Sequence, residues 1–204
     1  MSPPLPSARR LVLASTSRYR RELVERLGLS IEPLSPDFDE REAERSMGVL
    51  PTPDVATALA LGKAKSLAAA CPGALILGAD QIAEQGGERL HKPGTAENAC
   101  AQLARLQGRT HQLVTAVTLL DAATGRAETL VDTHRLTMRP LSPAEIERYV
   151  AHDSPLDCAG SYRVESLGIA LFERIEGNDF TAIIGLPLTH VVTLLARFGA
   201  PVLG

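Results

Sequence analysis

Apolar positions in the first third of the chain alternate between short unbroken runs and helical spacing. Residues 11–14 form an apolar run that predicts a buried strand, and Leu23, Val24 and Leu27 then follow at helical spacing until Gly28 offers a C-cap. The serine-rich segment between the two completes a predicted strand, turn and helix.

A second helix and strand follow an acidic stretch. Residues 33–53 are rich in proline and acidic side chains and predict a loop, whereas the apolar positions from Val55 onward predict a helix that ends near Cys71. Residues 75–79 form a run typical of a fully buried strand, which places Asp80 at its C-terminal end. Ligands of open α/β sheets bind at that edge.

The later pattern predicts a hairpin between two capped helices. Thr95 can cap a third helix. The β-rich runs 112–120 and 129–138 flank a Thr-Gly turn signal, and Ser142 begins a capping box that starts another helix. The remaining patterns predict a strand over 169–172 and a closing helix over 191–198. The predicted class is therefore α/β, with a mixed sheet and flanking helices.

Composition limits the function classes. The chain has 204 residues, of which 45% are hydrophobic and 22% charged, so it can bury the core of one globular domain over residues 11–204, after a proline-rich tail over 1–10 that we expect to be flexible. A net charge of -3 argues against a general binder of polymeric nucleic acid or of membrane surfaces, because both need a large positive field. No apolar run approaches the roughly 18 residues of a membrane span, so we expect a cytoplasmic protein.

Cysteine and histidine spacing does not indicate a soft-metal site. The three cysteines are odd in number and far apart, which fits neither a disulfide framework nor paired zinc ligands. None of the five histidines stands at a metal-ligand spacing from another, and we interpret them as surface or capping residues; they are His91, His111, His134, His152 and His190.

Three arginines stand at the start of the first predicted helix. Arg18, Arg20 and Arg21 place cations where the helix dipole disfavours them. A polyphosphate would compensate, because the hydroxyls of Ser15 and Ser17, free backbone N–H groups and guanidinium groups could converge on it. The alternative is that Ser17 only caps the helix and the arginines are solvated.

Carboxylates and lysines supply a second set of candidates. Asp80 is placed to bind a metal or orient a water molecule, and Lys63 and Lys92 could bring ammonium groups to the same edge. A turn aspartate and two surface lysines are the simpler interpretation. Glu40, in the acidic group with Asp37 and Asp39, could share Mg²⁺ or Mn²⁺ with Asp80, or could belong to a solvated loop.

Six short motifs occur in order along nearly the whole chain. They are Leu13-Ala14-Ser15-Thr16-Ser17 with Arg20-Arg21, Asp37-x-Asp39-Glu40, Lys63-Ala64, Gly78-Ala79-Asp80-Gln81, Lys92-Pro93 and Cys158-Ala159-Gly160-Ser161. Together they resemble the Maf family of nucleoside triphosphate pyrophosphatases. The match runs from about Leu11 to Phe198, and the Walker and dinucleotide-binding motifs are absent from the sequence.

The resemblance implies a fold with two lobes around a central cleft, related to inosine triphosphate pyrophosphatases, and a divalent cation, Mg²⁺, Mn²⁺ or Co²⁺. It implies cleavage of a nucleoside triphosphate between the α- and β-phosphates, and a homodimer. By position, Asp80 matches the family's general base and Glu40 an acidic residue near the metal. The residues that match the polyphosphate-binding set are Ser15, Ser17, Arg20, Lys63 and Lys92.

Two features resemble the branch of the family that acts on 7-methyl-GTP. They are Gln81, directly after Asp80, and the segment from Cys158 to Glu165 that is followed by Leu167-Gly168-Ile169. A carboxylate at Glu165 can accept from both N1–H and the amino group of guanine, and Tyr19 stacked on a cationic methylated base would gain a cation–π contribution of about 1 kcal/mol. Glu165 could also be a loop carboxylate without a ligand.

Departures from the family pattern keep other substrates open. Arg18 stands in place of a frequent proline and Ser166 in place of a glycine beside Glu165, so base selectivity could have shifted toward dTTP, UTP or another modified nucleotide. A regulatory nucleotide-binding module linked to cell division is the alternative from another class.

Overall fold

The computed structural model describes residues 9–203, which form one seven-stranded sheet with helices on both faces. The strands are β1 (Leu11–Ala14), β2 (Glu32–Leu34), β3 (Leu75–Gln85), β4 (Glu88–Leu90), β5 (Thr110–Asp121), β6 (Ala127–Met138) and β7 (Phe172–Glu176). The helices are α1 (Arg18–Glu25), α2 (Glu40–Ser46), α3 (Thr52–Ser66), α4 (Ala96–Leu106), α5 (Pro143–Asp153), α6 (Phe180–Ile184) and α7 (Leu188–Arg197). Two 3₁₀ segments, Ala159–Ser161 and Leu167–Leu171, precede β7.

The sheet is mixed, as predicted. Its main path is β2-β1-β3-β5-β6-β7, in which β1 runs parallel to β2 and β3 and the remaining pairs are antiparallel. The predicted hairpin is confirmed as β5 and β6, and the predicted capping box is present at the start of α5, where Ser142 and Glu145 cap each other.

One edge of β3 is interrupted. β1 pairs with residues 75–78 of β3, and β4 pairs with residues 83–85, whereas β5 pairs with residues 75–84 along the opposite edge. Among the strands of residues 9–203, none pairs with Ala79–Ile82 on the interrupted edge. This gap between β1 and β4 leaves the edge of β3 at Asp80 and Gln81 without a neighbouring strand.

Helix α3 covers one face of the sheet at this gap. Val55, Leu59 and Ala60 of α3 pack with Ile82 and the central part of β5. The close approach of α3 to β3 requires glycine at position 78, since a Cβ there would lie 2.2 Å from the carbonyl oxygen of Ala60. The opposite face packs on α1 and α7 near the start of β3, and on α4 and α5 beyond the gap.

Four sequence-based interpretations need correction. Asp80 does not end its strand, because β3 continues to Gln85 and only the neighbour β1 stops early. The stretch 33–53 is not all loop, since Asp39 caps α2, and the second predicted helix already ends at Ser66. Residues 167–171 form a 3₁₀ segment in place of the predicted strand, because the backbone joins the sheet only from Phe172.

Two histidines are buried, in contrast to the surface or capping role predicted for all five. His111 and His134 are 2% and 3% exposed. The ring of His111 bonds to the hydroxyl of Tyr162 at 2.9 Å, and His134 lies 2.7 Å from a carboxylate oxygen of Asp132. Both histidines stand at inward-facing positions where buried and exposed residues alternate along β5 and β6, which explains the difference. Burial lowers the pKa of His111 to about 4 and keeps its ring neutral.

The predicted tail, residues 1–10, falls mostly outside the described part of the chain. Arg9 and Arg10 are described, and they form ion pairs with Asp121 and Glu32. Within residues 9–203, the structure contains no helix of the length and apolar character that would cross a membrane.

Candidate active site

A cavity of about 470 Å³ opens at the gap in the sheet. A volume of this size suits a nucleotide, because small-molecule sites commonly measure about 300–1,000 Å³. All ten site residues predicted from the sequence line it, namely Ser15, Ser17, Tyr19, Arg20, Glu40, Lys63, Asp80, Gln81, Lys92 and Glu165. The structure therefore brings together side chains from six separate regions of the chain.

A buried ion pair forms the floor of the cavity. Lys63 and Asp80 are 4% and 5% exposed, and Nζ of Lys63 donates to Oδ1 of Asp80 at 2.7 Å. The same ammonium lies 3.0 Å from Oε2 of Glu40, whose side chain is exposed. Lys63 therefore holds two carboxylates beside each other, and the second oxygen of Asp80 has no protein donor among residues 9–203.

The serine turn after β1 lines the cavity at the start of α1. Oγ of Ser15 accepts from the backbone N–H of Ser17 at 3.1 Å, and Ser17 is the N-cap of α1. The bond from the backbone N–H of Arg20 to Oγ of Ser17 is long, at 3.5 Å. Donors at the first turn of a helix favour an anion, so this turn can contribute to a phosphate site.

The three arginines of α1 have different surroundings. Arg20 donates from Nε to the carbonyl oxygen of Gly185 at 3.0 Å, whereas Arg21 forms an exposed pair with Glu25 and does not line the cavity. Loss of hydration lowers the pKa of Arg20, and the charges of Asp80 and Glu40 act in the opposite direction. Arg20 is therefore a partly dehydrated cation near the buried pair, placed to bind a phosphate.

Tyr19 and Glu165 mark the other end of the cavity. The guanidinium carbon of Arg18 lies 4.8 Å from the ring centroid of Tyr19, and that of Arg163 lies 5.7 Å from it. Glu165 is at the rim, where loss of hydration raises the pKa of its carboxyl despite the opposing charges of Arg163 and Arg18. This end thus offers an aromatic ring and a carboxylate to a base.

Gln81 has a structural partner as well as a place in the cavity wall. Its amide nitrogen donates to the carbonyl oxygens of Ala182 at 2.7 Å and Ile183 at 3.2 Å, and to Oγ1 of Thr115. The side chain therefore ties β3 to α6, whose following residue Gly185 accepts from Arg20. The amide nitrogen is thus fully engaged by protein acceptors.

Lys92 lies on a loop that other side chains hold in place. It is exposed and has no ion-pair partner among residues 9–203. Gln102 of α4 donates to the carbonyl oxygen of His91 at 2.7 Å and accepts from Oγ of Ser161 at 2.6 Å. Gln102 thereby links the Lys92 loop to the opposite wall of the cavity.

Sequence reasoning missed part of the wall. Asp157, Ile183, Ile184 and Gly185 line the cavity, and α6 was not predicted. The available signal was Asp179, which can cap a short helix two residues after Gly177. At five residues, α6 is too short for a periodic apolar pattern to reveal it.

The carboxylates at the phosphate end suit a metal that is bound jointly with phosphate. Within residues 9–203 no three His, Cys, Asp or Glu side chains form a group that could hold a metal alone. Asp80 and Glu40 nevertheless flank one ammonium, and Mg²⁺ is often bound by one or two carboxylates together with substrate phosphates and water. These two residues would hold such a cation.

Curated proteins from several bacteria are similar to this chain along almost its whole length. A 7-methyl-GTP pyrophosphatase of Xanthomonas campestris is 47% identical over 93% of this chain and 96% of its own. Proteins of the same name from Thiobacillus denitrificans and Pseudomonas putida are 48% and 43% identical, and cover 95% and 94% of this chain and 94% and 98% of their own. The solved structure of the Staphylococcus aureus Ham1 protein overlaps 64% of this chain and 72% of its own, with 17% identity and a TM-score of 0.44.

The profile of the Maf-like protein family matches residues 10–198, which include every residue of the cavity wall. With that match and relatives above 40% identity over nine-tenths of the sequence, the chain belongs to the Maf-like protein family.

Proposed function

We propose that this protein hydrolyses 7-methyl-GTP to 7-methyl-GMP and pyrophosphate. The observation that carries the proposal is that one cavity is lined by the cations Arg20, Lys63 and Lys92 and also by the ring of Tyr19 and the carboxylate of Glu165. A triphosphate suits the cations, and a cationic purine suits the ring and the carboxylate. The names of the relatives support the same substrate.

Asp80 acts as the general base in this proposal. Its Oδ1 is held by Lys63, so Oδ2 can accept a proton from a water molecule beside the α-phosphorus. The water oxygen bonds to phosphorus, and the bond to the bridging oxygen breaks so that its electron pair leaves with pyrophosphate. Arg20, Lys63 and Lys92 bind the phosphate oxygens and offset the charge that builds on the leaving group.

Glu40 and Asp80 would hold a divalent cation, Mg²⁺, Mn²⁺ or Co²⁺, together with the substrate's phosphates. Such an ion supplies additional neutralisation of phosphate charge. Lys63 lies between the two carboxylates and keeps them close despite their mutual repulsion.

The base end discriminates by charge and hydrogen bonding. An ionised Glu165 accepts from N1–H and the amino group of guanine and offsets the positive charge of a 7-methylated ring. Tyr19 stacks on that ring, a contact worth about 1 kcal/mol for a cation. A pyrimidine lacks this hydrogen-bonding pattern, so dTTP and UTP are the poorer substrates in this proposal.

The test is pyrophosphate release from 7-methyl-GTP, GTP, dTTP and UTP with each divalent cation. Asp80→Asn should lower turnover of the preferred substrate at least about a hundredfold, in line with general-base contributions of about 10²–10⁴. Glu84→Gln is the matched control, because Glu84 lies on the same strand and outside the cavity. Binding of 7-methyl-GTP without turnover would instead identify a regulatory module, and preferred cleavage of UTP would identify the pyrimidine enzyme.

A further inference from the structure

Arg18 occupies the first position of α1, directly after the N-cap Ser17. No phosphate role is needed to explain its orientation, because its Nη2 donates to the hydroxyl of Tyr19 at 3.0 Å and its guanidinium lies over the ring of that residue. Both side chains line the cavity. Arg18 is therefore a cation in contact with the aromatic group that a base would stack on.

Arg18 and Arg163 differ in how their charges are balanced. Arg163 donates to the carboxylate of Asp157 at 2.8 Å and to the carbonyl oxygen of Asp153 at 2.7 Å. Among residues 9–203 no carboxylate pairs with Arg18 within 4 Å, and the charge of Glu22, one turn further along α1, acts on it only at longer range. The charge of Arg18 nevertheless reaches Glu165, on which it acts as a favourable neighbour of the ionised carboxyl.

We propose that Arg18 is a specificity-determining residue whose guanidinium competes with a cationic base for the ring of Tyr19 and for the charge of Glu165. A 7-methylated guanine must either displace this guanidinium or stack with a like charge nearby. A neutral guanine has no such repulsion. Arg18 thus lowers the preference for methylated over unmethylated guanine nucleotides, an inference that rests on the proposed function of the same cavity.

The experiment compares kcat/KM for 7-methyl-GTP with kcat/KM for GTP, at slightly acidic pH where the methylated base keeps its N1 proton and its charge. Any effect of Arg18 on binding of the triphosphate cancels in this ratio, because 7-methyl-GTP and GTP carry the same triphosphate. Arg18→Gln should raise the ratio about threefold to tenfold, the range that a cation–π contact or a nearby like charge can supply. Arg18→Pro removes the same charge at a helix position that accepts proline.

Arg26→Gln is the matched control, because Arg26 is an exposed arginine at the other end of α1 and does not line the cavity. Its ratio should remain within about 1.5-fold of the wild type, since the ring and carboxylate of the base end are beyond its reach. A ratio that is unchanged or lower in both Arg18 variants overturns the inference. Folding of each variant is checked by its thermal melting curve.

Tyr19→Leu tests the competition itself. If Arg18 acts through the ring, most of the effect of Arg18→Gln on the ratio should vanish in the Tyr19→Leu background, whereas an undiminished effect contradicts the mechanism. Failure of the proposed function is distinguishable, because the wild-type protein would then release no pyrophosphate from either guanine nucleotide. If both nucleotides are hydrolysed but the ratio of their kcat/KM values does not change in the Arg18 variants, only the proposed role of Arg18 is wrong.

Discussion

The ammonium nitrogen of Lys63 lies 2.7 Å from a carboxylate oxygen of Asp80, and both side chains are almost fully buried. A buried charge that loses its partner is costly, because water cannot replace the missing interaction. The pair is therefore coupled in stability as well as in its proposed chemistry.

Lys63→Met should destabilise the protein by about 3 kcal/mol, the low end of the cost of leaving one charge of a buried pair alone. Urea unfolding measures this cost. Adding Asp80→Asn should recover part of it, because the double variant no longer buries an unpaired carboxylate, although it should lack activity. Lys65→Met, on the exposed side of α3, provides the control and should change stability little. Equal and additive losses in the two single variants would contradict the coupling.

The preference for 7-methyl-GTP should depend on pH through Glu165. Loss of hydration raises the pKa of this carboxyl above its usual value of about 4.3, and only the ionised form accepts from the base. As the pH falls, kcat/KM for 7-methyl-GTP should therefore begin to drop at a higher pH than an ordinary glutamate would give. Glu165→Gln should abolish that part of the profile and reduce the preference over UTP. An identical acidic limb in the variant would assign the titration to another group.

Asp179 should support the site from a distance. One of its oxygens accepts from the backbone N–H of Thr181 at 2.9 Å and the other from that of Thr189 at 2.8 Å, so it joins the first turns of α6 and α7. Asp179→Ala should cost about 2 kcal/mol of stability, at the upper end for a lost helix cap, and should raise KM because α6 holds Gly185 against Arg20. Glu173→Gln, an exposed carboxylate on β7, is the control.

The stability difference between wild type and Asp179→Ala should itself vary with pH. Burial acts to raise the pKa of Asp179, but the hydrogen bonds from Thr181 and Thr189 outweigh it and lower the pKa below its usual value. A lowered native pKa stabilises the fold above the unfolded pKa of about 3.9, and this contribution is lost as the pH falls through the native pKa. The stability difference between wild type and Asp179→Ala at pH 7 should therefore shrink as the pH falls below about 3.9, as unfolding curves over this range would show; a difference that stays constant would count against the assignment.

Gln102 should act as a positioning residue for Lys92. Gln102→Ala removes the bonds to both His91 and Ser161, and should raise KM about threefold to tenfold with little change in kcat, because Lys92 is bound less firmly in place. Gln102→Glu keeps the acceptor for Ser161 but lacks the donor to His91, so it should raise KM like Gln102→Ala if the bond to His91 positions Lys92. Gln112→Ala, exposed on β5, controls for the loss of a glutamine. Lower stability with an unaltered KM would limit Gln102 to a structural role.

The sequence patterns predicted those parts of the fold that depend on interactions between residues close together in the chain. The capping box at Ser142 and the long hairpin of β5 and β6 follow from neighbouring residues, and both are present. The extent of β3 could not be predicted in this way, because Asp80 and Gln81 are polar and their strand conformation depends on pairing with β5. α6 was missed for another reason, since its five residues are too few to show a periodic apolar pattern.

Ordered motifs in the sequence identified the candidate site residues, and the structure shows the hydrogen bonds that hold them in place. No local pattern shows that Arg20 reaches the carbonyl oxygen of Gly185, or that Gln102 joins two walls of the cavity. These contacts join segments far apart in sequence. The partner of Arg18 could not be predicted either, although it is adjacent in sequence: the guanidinium contacts the hydroxyl of Tyr19 and not an anion.

Residues 79–82 of β3, which pair with β5 but have no strand on their other edge, have a consequence for how this architecture can change. A β1 longer by four residues would complete the ladder and place its own backbone in the proposed phosphate site, so improved folding and lost catalysis would come from the same insertion. The length of β1 is thus a point at which selection for a tighter sheet and selection for an open site oppose each other. The place where β1 stops therefore cannot move toward Asp80 without closing the entrance.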